Sequence, residues 1–344
     1  MRAVNSIVIF GGTGFLGTHL ATHLLNENLA EKIYLVDIQQ PRTAPYAARL
    51  QEGLKSGRIQ HIVHDLRKPI PVDLIPGKTP EIFLNIAALH REGEYADAEF
   101  FETNVTEAET VCAYAAATGC NRVVFISTIS QYGIRDGVMD ESSLSTPETP
   151  YGISKALSEK VHLIWLAGDA QRRLITIRPG VLYGPGEAAN VTRLARSVIK
   201  GYFAYVGNQK THKAGGYIKE LCHVIEFALT HEEETGDKHT LLNFSVYPTP
   251  RLEQYVDAVR TVFHLKRKPI QIPRHLLLWT SYVVAGIAGI FGIKQPITPL
   301  RVRKVYRNTH YEAKHLHELG YQWKYSLEKA FEDWLKDAPE ELKG

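Results

Sequence analysis

A chain of 344 residues that is 44% hydrophobic and 22% charged has an ordinary globular composition, with enough length for one large domain or two smaller ones. This composition excludes a disordered, collagen-like or disulfide-scaffold protein. The 40 Lys and Arg residues barely exceed the 37 Asp and Glu residues, so the charge balance gives no reason to expect a nucleic-acid partner. Three cysteines without metal-ligand spacing predict free thiols and no metal site, in a cytoplasmic protein.

Short apolar runs and stretches of helical periodicity alternate along the first half of the chain. This alternation predicts an α/β fold, with a doubly wound parallel sheet that carries helices on both faces. Beyond residue 248 the pattern is mostly helical. Strands are expected near residues 7–10, 32–37, 59–65, 81–87, 122–127, 173–178 and 240–246, and helices near 15–29, 95–118 and 151–169.

A glycine-rich sequence follows the first predicted strand. Gly12-Thr13-Gly14-Phe15-Leu16-Gly17 fits the pattern G-x-G-x-x-G, and Gly11 adds the related spacing G-x-x-G-x-x-G. Glycines at these positions permit a tight turn, let the backbone approach a pyrophosphate and let the helix pack closely on the strand. The free N–H groups at the start of that helix would point at the phosphates, as in a dinucleotide site.

Acidic residues end the second and third predicted strands. Asp37 follows the glycine loop at a distance where a carboxylate accepts hydrogen bonds from the adenosine ribose of a dinucleotide. A carboxylate there repels a 2′-phosphate, so the sequence favours NAD over NADP as the cofactor, although Arg42 lies nearby in the chain. Asp65 and Leu66 end the third strand, where the adenine is expected.

Tyr151 and Lys155 are four residues apart, which places both side chains on one face of a helix. An ammonium beside a phenol lowers the pKa of the phenol, and such a tyrosine can exchange a proton with a substrate alcohol. Upstream, Thr128 follows a predicted strand, where its hydroxyl can hydrogen-bond the substrate oxygen. Ser127 and Ser130 are rival hydroxyls at the same turn.

Together these motifs resemble an extended short-chain dehydrogenase/reductase of the NAD-dependent epimerase/dehydratase type. The resemblance covers essentially the whole chain, in family order and spacing. It implies an NAD-binding Rossmann domain over residues 1–178, with returns from about 215–247, and a substrate-binding region formed by 179–214 and 248–344. The matching segments are residues 11–17, 37, 65–66, 85–88, 104–105, 127–133, 150–155 and 178–186.

The resemblance also implies a role for each matching residue. Thr128, Tyr151 and Lys155 would be catalytic, with Tyr151 as the general acid or base and Lys155 bound to the nicotinamide ribose. Asn104 would support the active-site strand. Cofactor binding is implied for Gly11, Gly14, Phe15, Leu16, Gly17, Asp37, Asp65, Leu66, Ala87, Ala88, Asn104, Tyr151, Lys155 and Pro179.

One departure from the family pattern narrows the reaction. Sugar-nucleotide 4,6-dehydratases carry Asp-Glu after the catalytic hydroxyl, because the elimination of water needs an acid and a base. This chain has Ile129 and Ser130 there, so dehydration is disfavoured. Epimerisation and simple alcohol–ketone redox remain.

A second departure concerns the substrate phosphates. Sugar-nucleotide enzymes usually place an Asn where this chain has Val181, and often an Arg near Gly215. Basic residues such as Lys213, or those within 301–307, are candidate replacements. The sequence Arg178-Pro179-Gly180 also resembles the 3β-hydroxysteroid dehydrogenase branch, which oxidises a bulky apolar alcohol.

Three hypotheses follow. The favoured one is an NAD-dependent epimerase or oxidoreductase that acts on a secondary alcohol of a nucleotide sugar, in polysaccharide biosynthesis. The alternative is a 3β-hydroxysteroid-like dehydrogenase or reductase of an apolar alcohol. The third is a non-catalytic NAD-binding protein, and the retained Thr128, Tyr151 and Lys155 argue against it, because a binding module does not need them.

Two further expectations concern partners. No residue from 276 to 293 is charged, and a basic stretch follows at 297–307. We expect a buried helix pair there, with peripheral docking on an anionic membrane and a membrane span as the alternatives to it. The family resemblance implies a homodimer that pairs helices 95–118 and 151–169, through an apolar face with Ala113, Ala115, Ala116, Ala117 and Val161.

Overall fold

The computed structural model describes residues 1–77, 79–135, 137–206, 208–272 and 308–343. Its strands, in chain order, are β1 (Val4–Phe10), β2 (Ala30–Val36), β3 (Ile59–Ile62), β4 (Ile82–Asn85), β5 (Arg122–Ile126), β6 (Arg173–Pro179), β7 (Val181–Tyr183), β8 (Ala204–Val206), β9 (Gly215–Tyr217), β10 (His239–Phe244) and β11 (Ile270–Ile272). Its helices are α1 (Phe15–Asn26), α2 (Ala48–Lys55), α3 (Asp97–Thr118), α4 (Pro150–Ala167), α5 (Asn190–Ile199), α6 (Ile218–Thr235), α7 (Leu252–Val262), α8 (Lys314–Glu318), α9 (Leu327–Asp337) and α10 (Pro339–Lys343), with 3₁₀ turns at Pro45–Ala47 and Ile129–Tyr132.

Seven strands form one parallel sheet in the order β10–β6–β5–β4–β1–β2–β3. This confirms the predicted α/β class with a parallel sheet between helices. Two small two-stranded sheets lie outside the central one and pair β7 with β9 and β8 with β11.

Successive residues of β1 pack into opposite layers, because side chains alternate between the two faces of a strand. Ile7 and Ile9 belong to the apolar cluster that contains residues of α1 and α6. Val8 and Phe10 belong to the cluster on the other face, which includes Val111 of α3. Burial on both faces explains why this strand reads as a continuous apolar run.

The order of the sheet reverses at β1, which lies between β2 and β4. Val8 is opposite Tyr34 of β2 on one side and Phe83 of β4 on the other. In open parallel sheets the crevice at such a switch point, outside the carboxyl ends of the strands, is where ligands bind. The glycine loop after β1 and the residues after β4 therefore border the same crevice.

The last two helices close back onto the middle of the chain. The Trp334 side chain is buried, and its indole Nε1 donates to Glu341 Oε2 at 2.9 Å. The same carboxylate accepts the Gly186 N–H at 2.9 and 3.0 Å. On α6, Lys219 Nζ lies 2.7 Å from Asp337 Oδ2. The C-terminal helices are therefore tied both to the segment after β7 and to α6.

Within the described ranges, no helix has both the length and the apolar character that a membrane crossing needs. The uncharged stretch 276–293 and the basic residues at 301–307 lie outside the described residues. The expectations made for them stay predictions.

Candidate active site

The glycine loop is fitted against the residues that follow β4. Gly11 has φ of +82°, which favours glycine, and a Cβ there would lie 2.7 Å from the Cα of Ala87. A Cβ on Gly17 would collide with the carbonyl oxygen of Gly12. Helix α1 begins at Phe15 and has Gly14 as its N-cap, so its first N–H groups have no acceptor within the helix. This cradle fits a pyrophosphate group.

Asp37 directly follows β2 and hydrogen-bonds to the glycine loop. Its carboxylate accepts hydrogen bonds from the N–H of Thr13 at 3.2 Å and of Gln39 at 3.1 Å. Arg42 is directed elsewhere, because its guanidinium donates to the Tyr46 hydroxyl at 2.8 Å and to the Gly186 carbonyl at 3.3 Å. The acid is therefore placed at the end of β2, and the nearby arginine that would suit a 2′-phosphate binds protein groups.

Asp65 is paired with its neighbour Arg67. The guanidinium donates to both carboxylate oxygens, at 2.9 Å from Nε and 2.8 Å from Nη2, and these hydrogen bonds lower the pKa of Asp65 to about 2. Leu66 is buried, and its carbonyl accepts the Thr110 hydroxyl at 2.6 Å. The loop is thus fixed at the end of β3, and the adenine role of these two residues stays a prediction.

Thr128 and Tyr151 lie near each other at the carboxyl end of β5. Thr128 follows β5, its Oγ1 accepts the Ser130 N–H at 3.1 Å, and its hydroxyl is close enough to Tyr151 to affect the pKa of the phenol. Tyr151 lies in the first turn of α4, which Thr149 caps by accepting the Gly152 N–H at 3.1 Å. Of the rival hydroxyls, Ser127 is buried.

The acidity of Tyr151 differs from the sequence-based expectation. Burial raises the pKa of the phenol to about 12, and the nearby Thr128 hydroxyl offsets only part of this rise. The expected effect of Lys155 on Tyr151 does not dominate, because the Lys155 Nζ lies over the ring of Phe125, 4.1 Å from its centroid. The lysine is on the predicted helix face but is directed towards β5.

Lys155 is fully buried, and within the described residues its Nζ has no hydrogen-bond acceptor. Burial lowers the pKa of this ammonium to about 8, while the charges of Glu107 and Glu159 raise it. A buried ammonium without an acceptor is costly, so this atom points to a polar group that a bound molecule would supply. The hydroxyls of a nicotinamide ribose fit that requirement.

Asn104 on α3 fixes the backbone that follows β4. Its Oδ1 accepts the Leu89 N–H at 2.7 Å, and its Nδ2 donates to the Leu89 carbonyl at 3.0 Å. Nδ2 also donates to the Ser154 hydroxyl of α4 at 2.9 Å. The half-buried Ala87 and Ala88 precede this clamp, so their positions are set by Asn104.

Sequence reasoning missed a buried network beneath the catalytic turn. Arg178 of β6 donates to Glu159 Oε1 at 2.9 Å and Oε2 at 2.7 Å, and to the Tyr132 hydroxyl at 2.8 Å. Glu159 also accepts from Gln131, whose Nε2 donates to Ser127 Oγ at 3.2 Å. The network joins α4, β6 and the turn that carries Thr128. The available signal was the position of Glu159, one helical turn after Lys155.

Glu107 was also missed. It is buried within α3, and burial raises its pKa to about 8, against the Coulombic attraction of Lys155. Nothing in the sequence around Glu107 marks this residue, because its proximity to Lys155 arises only when α3 packs on α4.

Pro179, the last residue of β6, is also buried.

A comparison with protein families identifies the family to which this chain belongs. Residues 7–242, well over half of the chain, match the model of the NAD dependent epimerase/dehydratase family. The chain belongs to this family. It is therefore an enzyme of an NAD-dependent family, with NAD as the cofactor, and the predicted resemblance is confirmed. The glycine cradle, Asp37 and the unpaired Lys155 ammonium fit that cofactor.

Several relatives of this epimerase/dehydratase chain are 4-epimerases. It is 24% identical over 334 residues to the N-acetyl-alpha-D-glucosaminyl-diphospho-ditrans,octacis-undecaprenol 4-epimerase of Escherichia coli O157:H7, which covers 96% of this chain and 95% of that one. It is 30% identical over 205 residues, or 57% of each chain, to the UDP-glucose 4-epimerase of Vibrio cholerae. The structure of MoeE5 in complex with UDP-glucose and NAD has a TM-score of 0.72 at 20% identity, and the match covers 98% of this chain and 100% of that chain. At that identity the likeness shows a common fold.

Proposed function

We propose that this member of the epimerase/dehydratase family epimerises a secondary alcohol of a nucleotide sugar by hydride transfer, in polysaccharide biosynthesis, with Tyr151 as the general acid and base. The observation that carries the proposal is the position of Tyr151 in the first turn of α4, with the Thr128 hydroxyl near its phenol and the buried ammonium of Lys155 one helical turn later. The relatives' names make carbon 4 of the sugar the candidate position.

Each catalytic side chain has a distinct task in this proposal. Tyr151 takes the proton of the substrate hydroxyl as the carbon loses a hydride, and it returns the proton when a hydride is added to the opposite face. Thr128 hydrogen-bonds the same oxygen, so that it is held at Tyr151 in both the alcohol and the ketone. NAD, when bound, supplies the hydride acceptor and donor, and its oxidised form adds a positive charge to the site. Because the hydride is returned, the reaction has no net redox change.

A phenol with a pKa of about 12 holds its proton firmly at neutral pH. Proton transfer to and from the substrate therefore needs positive charge to stabilise the tyrosinate. Lys155 provides one such charge from the next turn of α4. We assign Lys155 to the nicotinamide ribose, as the sequence analysis expected, since its unpaired Nζ suits a hydroxyl acceptor.

The assignment of chain segments to NAD binding and to substrate binding is also a proposal. We assign residues 1–178, with returns from about 215–247, to NAD binding, and residues 179–214 and 248–344 to the substrate. The cofactor roles of Gly11, Gly14, Phe15, Leu16, Gly17, Asp37, Asp65, Leu66, Ala87, Ala88, Asn104 and Pro179 are part of the same assignment.

A second candidate substrate is a sugar linked through a diphosphate to a polyprenol. Val181 is 44% exposed on β7, where a nucleotide-sugar enzyme would usually place an asparagine. At Gly215 a Cβ would lie 2.8 Å from the Tyr255 hydroxyl and 2.9 Å from the Val181 carbonyl, so the usual arginine side chain has no room there. A lipid-linked sugar keeps the diphosphate but has no nucleoside, so an apolar residue at position 181 suits it better than it suits a nucleotide sugar. The Escherichia coli relative, named for such a carrier, spans 95% of its own length in the match.

Peripheral membrane association is part of this second candidate. The uncharged residues 276–293 and the basic stretch after them would suit docking at an anionic surface, where a polyprenol diphosphate resides. Under the nucleotide-sugar candidate, the same segment is expected to be a buried helix pair. The two candidates therefore differ in a property that fractionation of cells measures directly.

We also propose the homodimer expected from the sequence. Helices α3 and α4 pack side by side. Ala115 is buried within the chain, so it is unavailable to a partner and is removed from the predicted interface. The apolar residues that remain available are the exposed Ala113, Ala116, Ala117, Leu157 and Ile164 and the half-buried Val161.

The substrate is tested by product analysis. The purified chain with NAD is incubated with UDP-glucose, UDP-N-acetylglucosamine or N-acetylglucosaminyl-diphospho-undecaprenol in parallel, and the released sugars are separated by chromatography. We expect the 4-epimer from one class and no accumulation of NADH. Net NADH formation with a hydroxysteroid would instead support the apolar-alcohol alternative. A 4-keto-6-deoxy product would contradict the exclusion of dehydration drawn from Ile129 and Ser130.

A further inference from the structure

A cavity of about 580 Å³ lies away from the catalytic turn, between α1, α6 and the end of α9. Its lining combines imidazoles with charged side chains, including His23 and Asn26 of α1, His223 of α6, and Asp337 of α9. None of these residues belongs to the proposed catalytic or cofactor set. The cavity therefore needs an explanation of its own.

Three side chains with metal-ligand atoms converge at the wall of this cavity. The ligand atoms of His23, His223 and Glu226 all lie within 4.8 Å of one another. His23 Nε2 is 2.8 Å and His223 Nδ1 is 3.9 Å from the same oxygen, Glu226 Oε2, and the two imidazole rings are 4.6 Å apart. In tetrahedral coordination, zinc bonds of about 2.0–2.1 Å place two ligand atoms about 3.3 Å apart. The observed distances of 2.8 Å and 3.9 Å lie on either side of this value.

We propose that His23, His223 and Glu226 form a binding site for one divalent first-row transition-metal ion, with Zn²⁺ as the best-suited cation. Two imidazoles and one carboxylate are borderline ligands that zinc prefers to calcium or magnesium. Three protein ligands leave a fourth position, and the cavity leaves room for water there. The site is independent of the proposed reaction, so neither proposal depends on the other.

The hydrogen bonding of His223 supports a cation at this point. Its Nδ1 lies 3.0 Å from Lys324 Nζ, and an ammonium has only protons to donate, so Nδ1 presents a lone pair. The Lys324 ammonium is therefore held by His223 Nδ1, which is the atom that would bind the metal and which lies 3.9 Å from Glu226 Oε2. Lys324 is exposed, so its side chain can move into solvent when a metal ion takes its place.

The backbone around the site is held in place independently of a metal. His23 lies in α1 and the other two ligands lie on α6, where His223 and Glu226 are three residues apart and share one face. The nearby Lys219 is held by Asp333 at 2.6 Å and Asp337 at 2.7 Å, so its charge is compensated. A metal ion here would join α1, which carries the glycine loop, directly to α6.

This site has no local sequence signal, because His23 is 200 residues before His223 along the chain. The prediction of no metal site rested on spacing, and spacing detects only ligands that are close in sequence. The helix pairing that joins these ligands is a property of the fold.

The test uses the full chain without an affinity tag, after removal of metals with EDTA. Zn²⁺ binding is measured by competition with a chromogenic chelator, Co²⁺ binding by its visible d–d absorption, and unfolding by the midpoint temperature. We expect one Zn²⁺ per chain and a midpoint raised by about 2 °C or more at saturating metal. The absence of saturable binding to the wild-type chain would overturn the proposal.

Variants separate this site from adventitious binding by the other histidines. Glu226→Gln and His23→Gln should each weaken Zn²⁺ binding by about tenfold or more. Lys324→Met should strengthen it, because the competing ammonium is removed. His231→Gln, on the same helix but outside the cluster, is the matched control and should bind like wild type. NAD binding checks that each variant is folded, and equal Zn²⁺ affinity in all four would contradict the site.

Discussion

Lys155 Nζ lies 4.1 Å from the centroid of the Phe125 ring, in the interior between α4 and β5. The ring face is an attractive surface for a cation, yet burial still lowers the pKa of Lys155 to about 8. The charge of Glu107 opposes that shift and favours the ammonium. The charge state of this lysine therefore depends on a carboxyl group that lies outside the known motifs.

Replacing Glu107 with Gln should make Lys155 lose its proton at lower pH. The ionised carboxylate raises the pKa of Lys155, so its removal lowers that pKa, and the alkaline decline of kcat/KM should move to lower pH. The pH profile of epimerisation measures this shift. Glu109→Gln, exposed on the same helix, is the control. An unchanged alkaline decline in Glu107→Gln would show that Lys155 is not coupled to it.

Tyr151→Phe should leave the fold and cofactor binding intact while removing most turnover. The ring still packs at the start of α4, but the proton-transfer group is lost, which typically costs about 10² to 10⁴-fold. Single-turnover product analysis and NAD titration measure the two effects separately. Tyr202→Phe, at a residue 69% exposed, is the control. Near-normal turnover in Tyr151→Phe would mean that another group is the base.

The chain should bind NADH more tightly than NADPH. Asp37 follows β2 with its carboxylate held by the N–H groups of Thr13 and Gln39, where a 2′-phosphate would be repelled. Asp37→Asn removes the negative charge and should narrow the preference by about tenfold. Fluorescence titration with both reduced cofactors measures it, with Asp73→Asn on the surface as control. Equal or tighter binding of NADPH by the wild type would refute the role of Asp37.

Ile164→Lys should convert a dimer into monomers. Ile164 is 74% exposed on α4, and a lysine there places charge in the apolar interface. Light scattering after gel filtration gives the mass of each species. Leu144→Lys, at a loop residue that is 72% exposed, should remain dimeric. A wild-type chain that elutes as a monomer at every concentration would rule out this interface.

The central sheet was predictable because its strands are apolar runs separated by helical periodicity. The strands β7, β8, β9 and β11 were not, since each has three residues and too few positions to establish a period. Such short strands form where the surrounding fold brings two extended segments together, and no local pattern encodes that. The glycine loop, Asp37 and the Tyr151–Lys155 spacing were visible, because short sequence intervals define them.

The surroundings of the catalytic groups were not predictable in the same way. The pKa of Tyr151 depends on how deeply the phenol is buried, and the direction of Lys155 depends on where Phe125 lies. The ion pair between Glu159 and Arg178 joins helix α4 to strand β6. These relationships follow from packing between elements, so a single sequence carries no periodic signal for them.

The contact between Glu341 and Gly186 has a consequence for biosynthesis. A ribosome adds about 5–20 residues per second and releases the amino-terminal part first. The turn after β7 must therefore wait until 155 further residues have been made before it gains this carboxylate. Trp334, buried against the same carboxylate, arrives equally late. During that interval the nascent chain exposes the apolar surface that α9 later covers, and exposed apolar surface of this kind is prone to aggregation.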